Sequence, residues 1–305
     1  MTEPIVSPDW LLERGAGGVR VLHADFGGDR FDSLHIAGAR LLDLDSLVWD
    51  GEQGWGTEMR PAHAVEGVLE LAGVNDGDHL VLYSHNPLFA SRAFLTLEAM
   101  GYDGAVSVLD GGLGGWQELG HPVLTSGVES GSTPRGEVSL APRSDIMVSA
   151  DWIAERLGNE GLALVDARPD DEYTGNDGGM GGMANPGHIP GAHQMYWEEL
   201  IESRPLPWMH SKDSLEALFQ AASAPAGDTV VVYCMVGWRA SYSYLAARSL
   251  GREVRFYDGS WHDWGTRDDL PFVGGEAPGE GPGEVPGVPN EAPAPSAGDS
   301  QGTVR

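Results

Sequence analysis

The stretch that decides the fold is VVYCMVGWRAS, Val231 to Ser241. Thr229-Val-Val-Val-Tyr233 is a short apolar run of the buried-strand type, and Arg239 to Leu250 carries a helical pattern. Cys234, the only cysteine in 305 residues, stands at the junction between them. In an open α/β sheet, ligands collect where strands end and the following helices begin. Met235, Val236, Gly237 and Trp238 then form a short loop whose backbone N–H groups can turn inward, with a helix N-terminus behind them. Such a cup favours negative charge at its centre. A cysteine held there is expected to ionise more readily than a free thiol of pKa ~8.5, and the thiolate is the nucleophilic form. Arg239 would add a fixed positive charge at the rim and can bind an oxyanion through two N–H groups. The plainer reading makes Cys234 a small buried hydrophobe, a common fate of free cysteine.

Working outward, the surrounding elements occur twice. Val6-Ser-Pro-Asp-Trp-Leu-Leu-Glu-Arg14 returns as Val148-Ser-Ala-Asp-Trp-Ile-Ala-Glu-Arg156, and His35-Ile-Ala-Gly-Ala39 as His188-Ile-Pro-Gly-Ala192. Val81-Leu-Tyr-Ser84 returns as Val231-Val-Tyr-Cys234, and Asp110-Gly-Gly with Trp116 returns as Asp258-Gly-Ser with Trp264. Ordered matches at a near-constant offset mark a tandem duplication. Ser84 occupies the cysteine position of the first copy and Phe89 the position of Arg239. One half has kept thiol, glycine and arginine together, and the other reads as scaffold. The offset changes between the first and second matches, which places an insertion in the glycine-rich Gly175 to Gly187. That segment lacks the ending of a phosphate-binding loop and reads as a surface or pocket-rim loop.

Strands alternate with helices in each copy. Ser149 is a plausible N-cap for a helix over Asp151 to Leu157. Leu162 to Val165 and Val254 to Tyr257 read as strands, and Asp213 to Ala222 as a helix. The expected fold is α/β, two tandem domains, each an open and mostly parallel sheet with helices on both faces. The expected boundaries are 1–124 for the inactive domain, 125–144 for a linker, 145–272 for the catalytic domain and 273–305 for a disordered tail rich in Pro, Gly and Glu.

Composition narrows the partners. A net charge of −28 argues against nucleic acid, since phosphate contacts need Lys and Arg. No segment has the apolar length to span a bilayer. MTEPIVSPDW lacks the basic start and apolar run of a secretory signal, and one cysteine makes no internal disulfide. A cytoplasmic, reducing setting is expected. The ten histidines show no metal-like spacing, so neither metal nor cofactor is expected.

The tandem unit, the His-Ile-Pro-Gly-Ala segment, Asp166-Ala-Arg168, the CMVGWRAS loop and YDGSWHDW together resemble the rhodanese family, in its two-domain thiosulfate or 3-mercaptopyruvate sulfurtransferase form, from Val6 to Phe272. The resemblance implies that Cys234 accepts a sulfane sulfur as a persulfide and passes it to cyanide, a thiol or a protein acceptor. It implies that Arg239 and loop residues 235–238 bind the donor. It also places the segment with Trp261 and Trp264 near the pocket wall, and Arg168 and His188 are further pocket candidates. Arg168 reads better as the partner of Asp166, His188 as a group beneath the loop, and the two tryptophans as core. Met235 and Val236 match neither the Arg-Lys that follows the cysteine in vertebrate-type thiosulfate enzymes nor the Gly-Ser or Gly-Thr of mercaptopyruvate enzymes. Arg239 tips the expectation toward thiosulfate. Cysteine-dependent phosphatases and arsenate reductases use a loop with five residues between Cys and Arg. The loop here has four, and the tighter ring suits a single sulfur atom. A persulfide carrier for a protein partner and a purely structural double module are the alternatives of other kinds.

Overall fold

The computed structural model describes residues 3–279 except 16–17, 52–53, 55–56, 126–133, 177–184 and 203–205. Its first sheet holds β1 (Ile5–Val6), β2 (Arg20–Asp25), β3 (Arg40–Asp43), β4 (Leu80–Tyr83) and β5 (Val106–Leu109), all parallel, in the order β1-β5-β4-β2-β3. Its second holds β6 (Leu162–Asp166), β7 (Ala192–Gln194), β8 (Thr229–Tyr233) and β9 (Val254–Phe256), again parallel, in the order β7-β6-β8-β9. Apart from β1 the two orders are the same, and a parallel bridge between Met147 and Phe256 stands where β1 pairs with β5.

Helices α1 (Pro8–Arg14), α2 (Asp29–Ser33), α3 (Ala62–Leu71), α4 (Pro87–Ala99) and α5 (Gly112–Glu118) cover the first sheet. Helices α6 (Ala150–Ala154), α7 (Asp170–Thr174), α8 (Lys212–Ala221), α9 (Trp238–Ser249) and α10 (Ser260–Trp264) belong to the second half. The repeated Val-Ser-x-Asp-Trp segments start α1 and α6 in the same way. Ser7 and Ser149 accept the N–H groups of Trp10 and Trp152, each at 3.2 Å, satisfying donors that a helix start leaves unpaired. The helix expected over Asp151–Leu157 is shorter, because the chain leaves helical geometry after Ala154 for a turn that reaches Gly158 at φ 74°.

Period-two alternation sends successive strand residues to opposite faces. Val21, Val81 and Tyr83 meet Leu11, Phe31 and Trp116 on one face of the first sheet. Leu22, Leu80 and Leu82 meet Val65 and Leu69 of α3 and Ala93 and Leu97 of α4 on the other. In the second half, Leu164, Val231 and Tyr233 pack against Ile153, Trp261 and Trp264. Val165, Val230 and Val232 pack against α8 and α9. Because α4 and α9 lie against each other, these inner layers merge into one core shared by both halves. Ser91 and Ser241, counterparts in the duplication, face each other at 2.9 Å. Glu98 and Arg248, also counterparts, form a two-pronged ion pair that Tyr244 joins. The same helix of each unit meets its twin, acid against base.

The described part of the expected linker runs along the first half. Gly136 N–H donates to the Glu70 carbonyl, Ser139 N–H to Asp76, and Arg143 N–H to the Ala99 carbonyl, while Val138 is buried. The stretch expected to be disordered from 273 begins with ordered contacts. His188 and Val273 exchange backbone hydrogen bonds at 2.8 and 3.0 Å, Gly275 N–H donates to the Thr174 carbonyl, and Gly191 N–H to the Pro278 carbonyl at 2.7 Å. These bonds use main chain, so a composition poor in apolar side chains does not reveal them. Residues 280–305 and 177–184, the latter most of the expected insertion, lie outside the described residues. Among the described residues no helix is long and apolar enough to cross a membrane.

Candidate active site

From the central pair β6 and β8 the second sheet grows in opposite directions, to β7 and to β9. A crevice forms at the carboxyl ends of such a pair. There β6 delivers Asp166, and β8 delivers Cys234 immediately after its last residue. The Gly237 N–H donates to Cys234 Sγ at 3.1 Å, and α9 starts at the next residue. The sulfur therefore faces a backbone donor at the positive end of a helix. Only 1% of Cys234 is exposed.

The loop is stitched down on its far side. Cys234 N–H donates to Ser260 Oγ at 3.2 Å, and that hydroxyl donates to the Tyr257 carbonyl at 2.9 Å. The carbonyls of Cys234 and Met235 accept the N–H groups of Trp261 and His262 at 2.9 and 3.0 Å. Gly237 has φ 88°, a conformation that costs side-chain-bearing residues. A Cβ there would also lie 2.9 Å from Arg92 Nη1 and 3.0 Å from Asp258 Oδ1. Arg92 belongs to α4 of the first half, is wholly buried, and donates to Asp258 Oδ1 at 2.8 Å and to the Thr57 carbonyl. The first half therefore braces the cysteine loop directly.

Arg239 departs from the free oxyanion clamp expected of it. Its Nη1 and Nη2 donate to the two carboxylate oxygens of Glu172 in α7, at 2.8 and 2.7 Å. The side chains are 20% and 16% exposed. Burial opposes the guanidinium charge, but the hydrogen bonds to Glu172 and the field of Cys234 outweigh it and hold the group above its ordinary range. The rim carries a neutralised pair where a net positive charge was expected. Met235 is buried among Leu164, Val231 and Trp261. Val236 is half-buried beside the same cluster. The Trp238 ring meets Phe26 and Phe89 of the first half, with centroids 5.6 and 5.7 Å away, and lies at the seam between the halves.

The four further pocket candidates come together beneath the loop, all of them 0–1% exposed. Arg168 holds both Asp166 oxygens, with Nη2 to Oδ2 at 2.6 Å, and donates to the Gly187 carbonyl at 2.7 Å. Its guanidinium sits 4.7 Å from the Trp261 ring centroid. His188 stacks on Tyr173 at 3.8 Å and places Nδ1 and Nε2 near the carbonyls of Tyr173 and Ala277. Burial pushes its pKa down, more than those carbonyls and Asp166 raise it. Trp264 donates Nε1–H to the Pro271 carbonyl at 2.7 Å. These contacts are those of a platform that supports the loop.

Sequence reasoning missed Glu172, Ser260, Arg92, Phe26 and Phe89. Ser260 lay within a repeated segment and could have been marked by its exchange for Gly112 in the first copy. The other four act across long separations, and no local pattern announces them.

A duplicated parallel α/β fold, with one sulfur at the switch point of one copy and a serine in the other, defines a tandem domain protein built around a single cysteine loop. The model of the Rhodanese-like domain matches residues 8–119 and 149–267. The chain belongs to that family of sulfurtransferases, with one domain in each half. It is 31% identical over 289 residues to the sulfur carrier protein TtuD of Thermus thermophilus, covering 90% of this chain and 98% of that one. It is 30% identical over 292 residues to a thiosulfate sulfurtransferase of Corynebacterium glutamicum, covering 90% and 91%. Among solved structures, that of the 3-mercaptopyruvate sulfotransferase SseA from Escherichia coli aligns with a TM-score of 0.72 at 26% identity, over 85% of this chain and 99% of the other.

Proposed function

We propose that the chain moves a sulfane sulfur from thiosulfate or 3-mercaptopyruvate to a thiophilic acceptor through a persulfide on Cys234. The observation that carries this reading is the Gly237 N–H on Sγ at the start of α9, which favours negative charge on the sulfur. The Cys234 thiolate attacks the outer sulfur of thiosulfate, the S–S bond of the donor breaks, and sulfite leaves with the electron pair. With 3-mercaptopyruvate the C–S bond breaks, and the enolate of pyruvate takes a proton from solvent. Cyanide then removes the outer sulfur as thiocyanate, or a thiol removes it as its own persulfide, and the Cys234 thiolate returns. Splitting one transfer into two gives ping-pong kinetics.

Thiosulfate stands first because Arg239 supplies a cation near the loop, although its pairing with Glu172 lessens the net charge offered to a dianion. The same pairing argues against a phosphatase, whose arginine must point both donors at a bound phosphate. A second reading has support in the similarity to a named sulfur carrier and in the 1% exposure of Cys234: delivery to a protein acceptor only.

Mass spectrometry of the folded protein after exposure to each donor tests the chemistry. A gain of one sulfur, absent from Cys234→Ser, is expected. If no donor adds sulfur, the reading is wrong. Loading without turnover on cyanide, together with transfer to a protein thiol, selects the carrier.

A further inference from the structure

The half that lacks the cysteine carries a polar cluster of its own in the corresponding place. β2 ends at Asp25 as β6 ends at Asp166. Asp166 is neutralised by Arg168 two residues on, whereas the residue two after Asp25 is Gly27. Asp25 Oδ1 accepts the Phe26 N–H at 2.8 Å, which fixes the carboxylate. Its Oδ2 is buried without a hydrogen-bond partner among the described residues. His23, on the same strand, is 0% exposed, and neither of its ring nitrogens has a hydrogen-bond partner there either. His23 Nε2 lies 3.8 Å from Oδ2, and His85 Nδ1, from the residue after Ser84, lies 3.4 Å from it.

One ligand atom from each of the three residues falls within 4.8 Å of the others. A buried carboxylate oxygen and an imidazole left unpaired are each costly, and a cation between them would satisfy all three groups at once. We propose that His23, Asp25 and His85 bind one divalent transition-metal cation of the zinc type, as three protein ligands with a fourth position open. Two imidazoles and a carboxylate suit Zn²⁺, Co²⁺ or Ni²⁺ rather than Mg²⁺ or Ca²⁺, which prefer all-oxygen shells. Tetrahedral ligation at ~2.0–2.1 Å sets ligand atoms roughly 3.3 Å apart. The site therefore needs His23 and Asp25 to draw together by about 0.5 Å and the partly exposed His85 to turn toward His23.

Arg30 is the competing cation. Its Nη1 touches His85 Nε2 and lies 3.7 Å from Asp25 Oδ1, but its side chain is 63% exposed and can swing into solvent. The spacing hid this site because His23 and Asp25 share a strand face while His85 arrives from the next strand of the sheet. The proposal is independent of whether Cys234 carries sulfur.

The test uses full-length Cys234→Ser protein, which removes the thiol as a rival ligand. After chelator treatment it is titrated with Zn²⁺ by calorimetry and with Co²⁺ by visible absorption. One equivalent should bind, with no comparable binding of Mg²⁺. His85→Ala, at a partly exposed position, and Asp25→Asn should each weaken binding at least about 100-fold, with circular dichroism showing both folded. Arg30→Ala should tighten it about tenfold by removing a like charge. Absence of Zn²⁺ heat and of a Co²⁺ spectrum, or binding that survives unchanged in folded His85→Ala, would overturn the proposal.

Discussion

Gly237→Ala adds one methyl group at the point where the two halves meet the sulfur. At φ 88° an alanine carries left-handed strain of ~1–2 kcal/mol. Its Cβ would press on Arg92 Nη1 at 2.9 Å and Asp258 Oδ1 at 3.0 Å, two ends of a buried ion pair with little room to give. Overpacking of this kind costs ~1–3 kcal/mol. Together the two effects cost about 2–5 kcal/mol, a large share of the ~5–15 kcal/mol typical of a folded chain. A melting point lower by roughly 3–9 °C follows. The N–H that faces Sγ shifts with the backbone. Removal of one such donor in comparable anion sites slows chemistry ~100–1000-fold, so a displaced donor should slow sulfur loading at least ~10-fold. Gly120→Ala is the matched control, because φ is 74° and nothing lies within 4 Å of its Cβ. It carries the backbone strain alone and should leave loading untouched. Thermal unfolding and single-turnover loading followed by mass spectrometry read both quantities. If Gly237→Ala costs no more than Gly120→Ala and loads sulfur at the wild-type rate, the bracing role assigned to this loop is wrong.

Glu172→Gln removes the carboxylate that neutralises Arg239, so kcat/KM for thiosulfate should rise about fivefold, from ~1 kcal/mol of unmasked charge. Arg239→Gln should lower it, and equal kcat/KM in wild type and both variants would remove Arg239 from donor binding. His188 has a folded-state pKa below its unfolded value of ~6.5, chiefly through burial. The unfolded chain therefore takes up a proton first. Its contribution to stability is complete above ~6.5 and is lost as pH falls through the lower folded value. Urea unfolding at several pH values should show a weaker acid-side loss in His188→Gln, and parallel curves would refute this assignment. The Glu98–Arg248 pair should show a coupling of ~1–3 kcal/mol in a double-mutant cycle of unfolding, and a coupling near zero would mean that this pair adds nothing to holding the halves together.

How far the site was legible depended on the range of the interaction. Cys234 and Gly237 announced themselves because the strand, the turn and the helix that place them are consecutive. Glu172 did not, since Arg239 could equally have faced an incoming anion. The metal-like cluster was invisible for a similar reason: His23-Ala-Asp25 is an unremarkable strand end until β4 brings His85 beside it. The boundary expected at 273 failed because backbone pairing with His188 does not depend on side-chain type.

By itself the sequence determined the duplication, the parallel α/β class and the place of the lone cysteine between a strand and a helix, because periodicity, capping serines and a unique thiol are properties of neighbouring residues. Tertiary structure alone decided that α4 and α9 fuse two units into one core, that Arg92 reaches from one half to brace the loop of the other, and that Glu172 neutralises the arginine at its rim. Those outcomes depend on which charged side chains meet after the chain has closed, because a charge withdrawn from water is costly unless folding brings a partner to it.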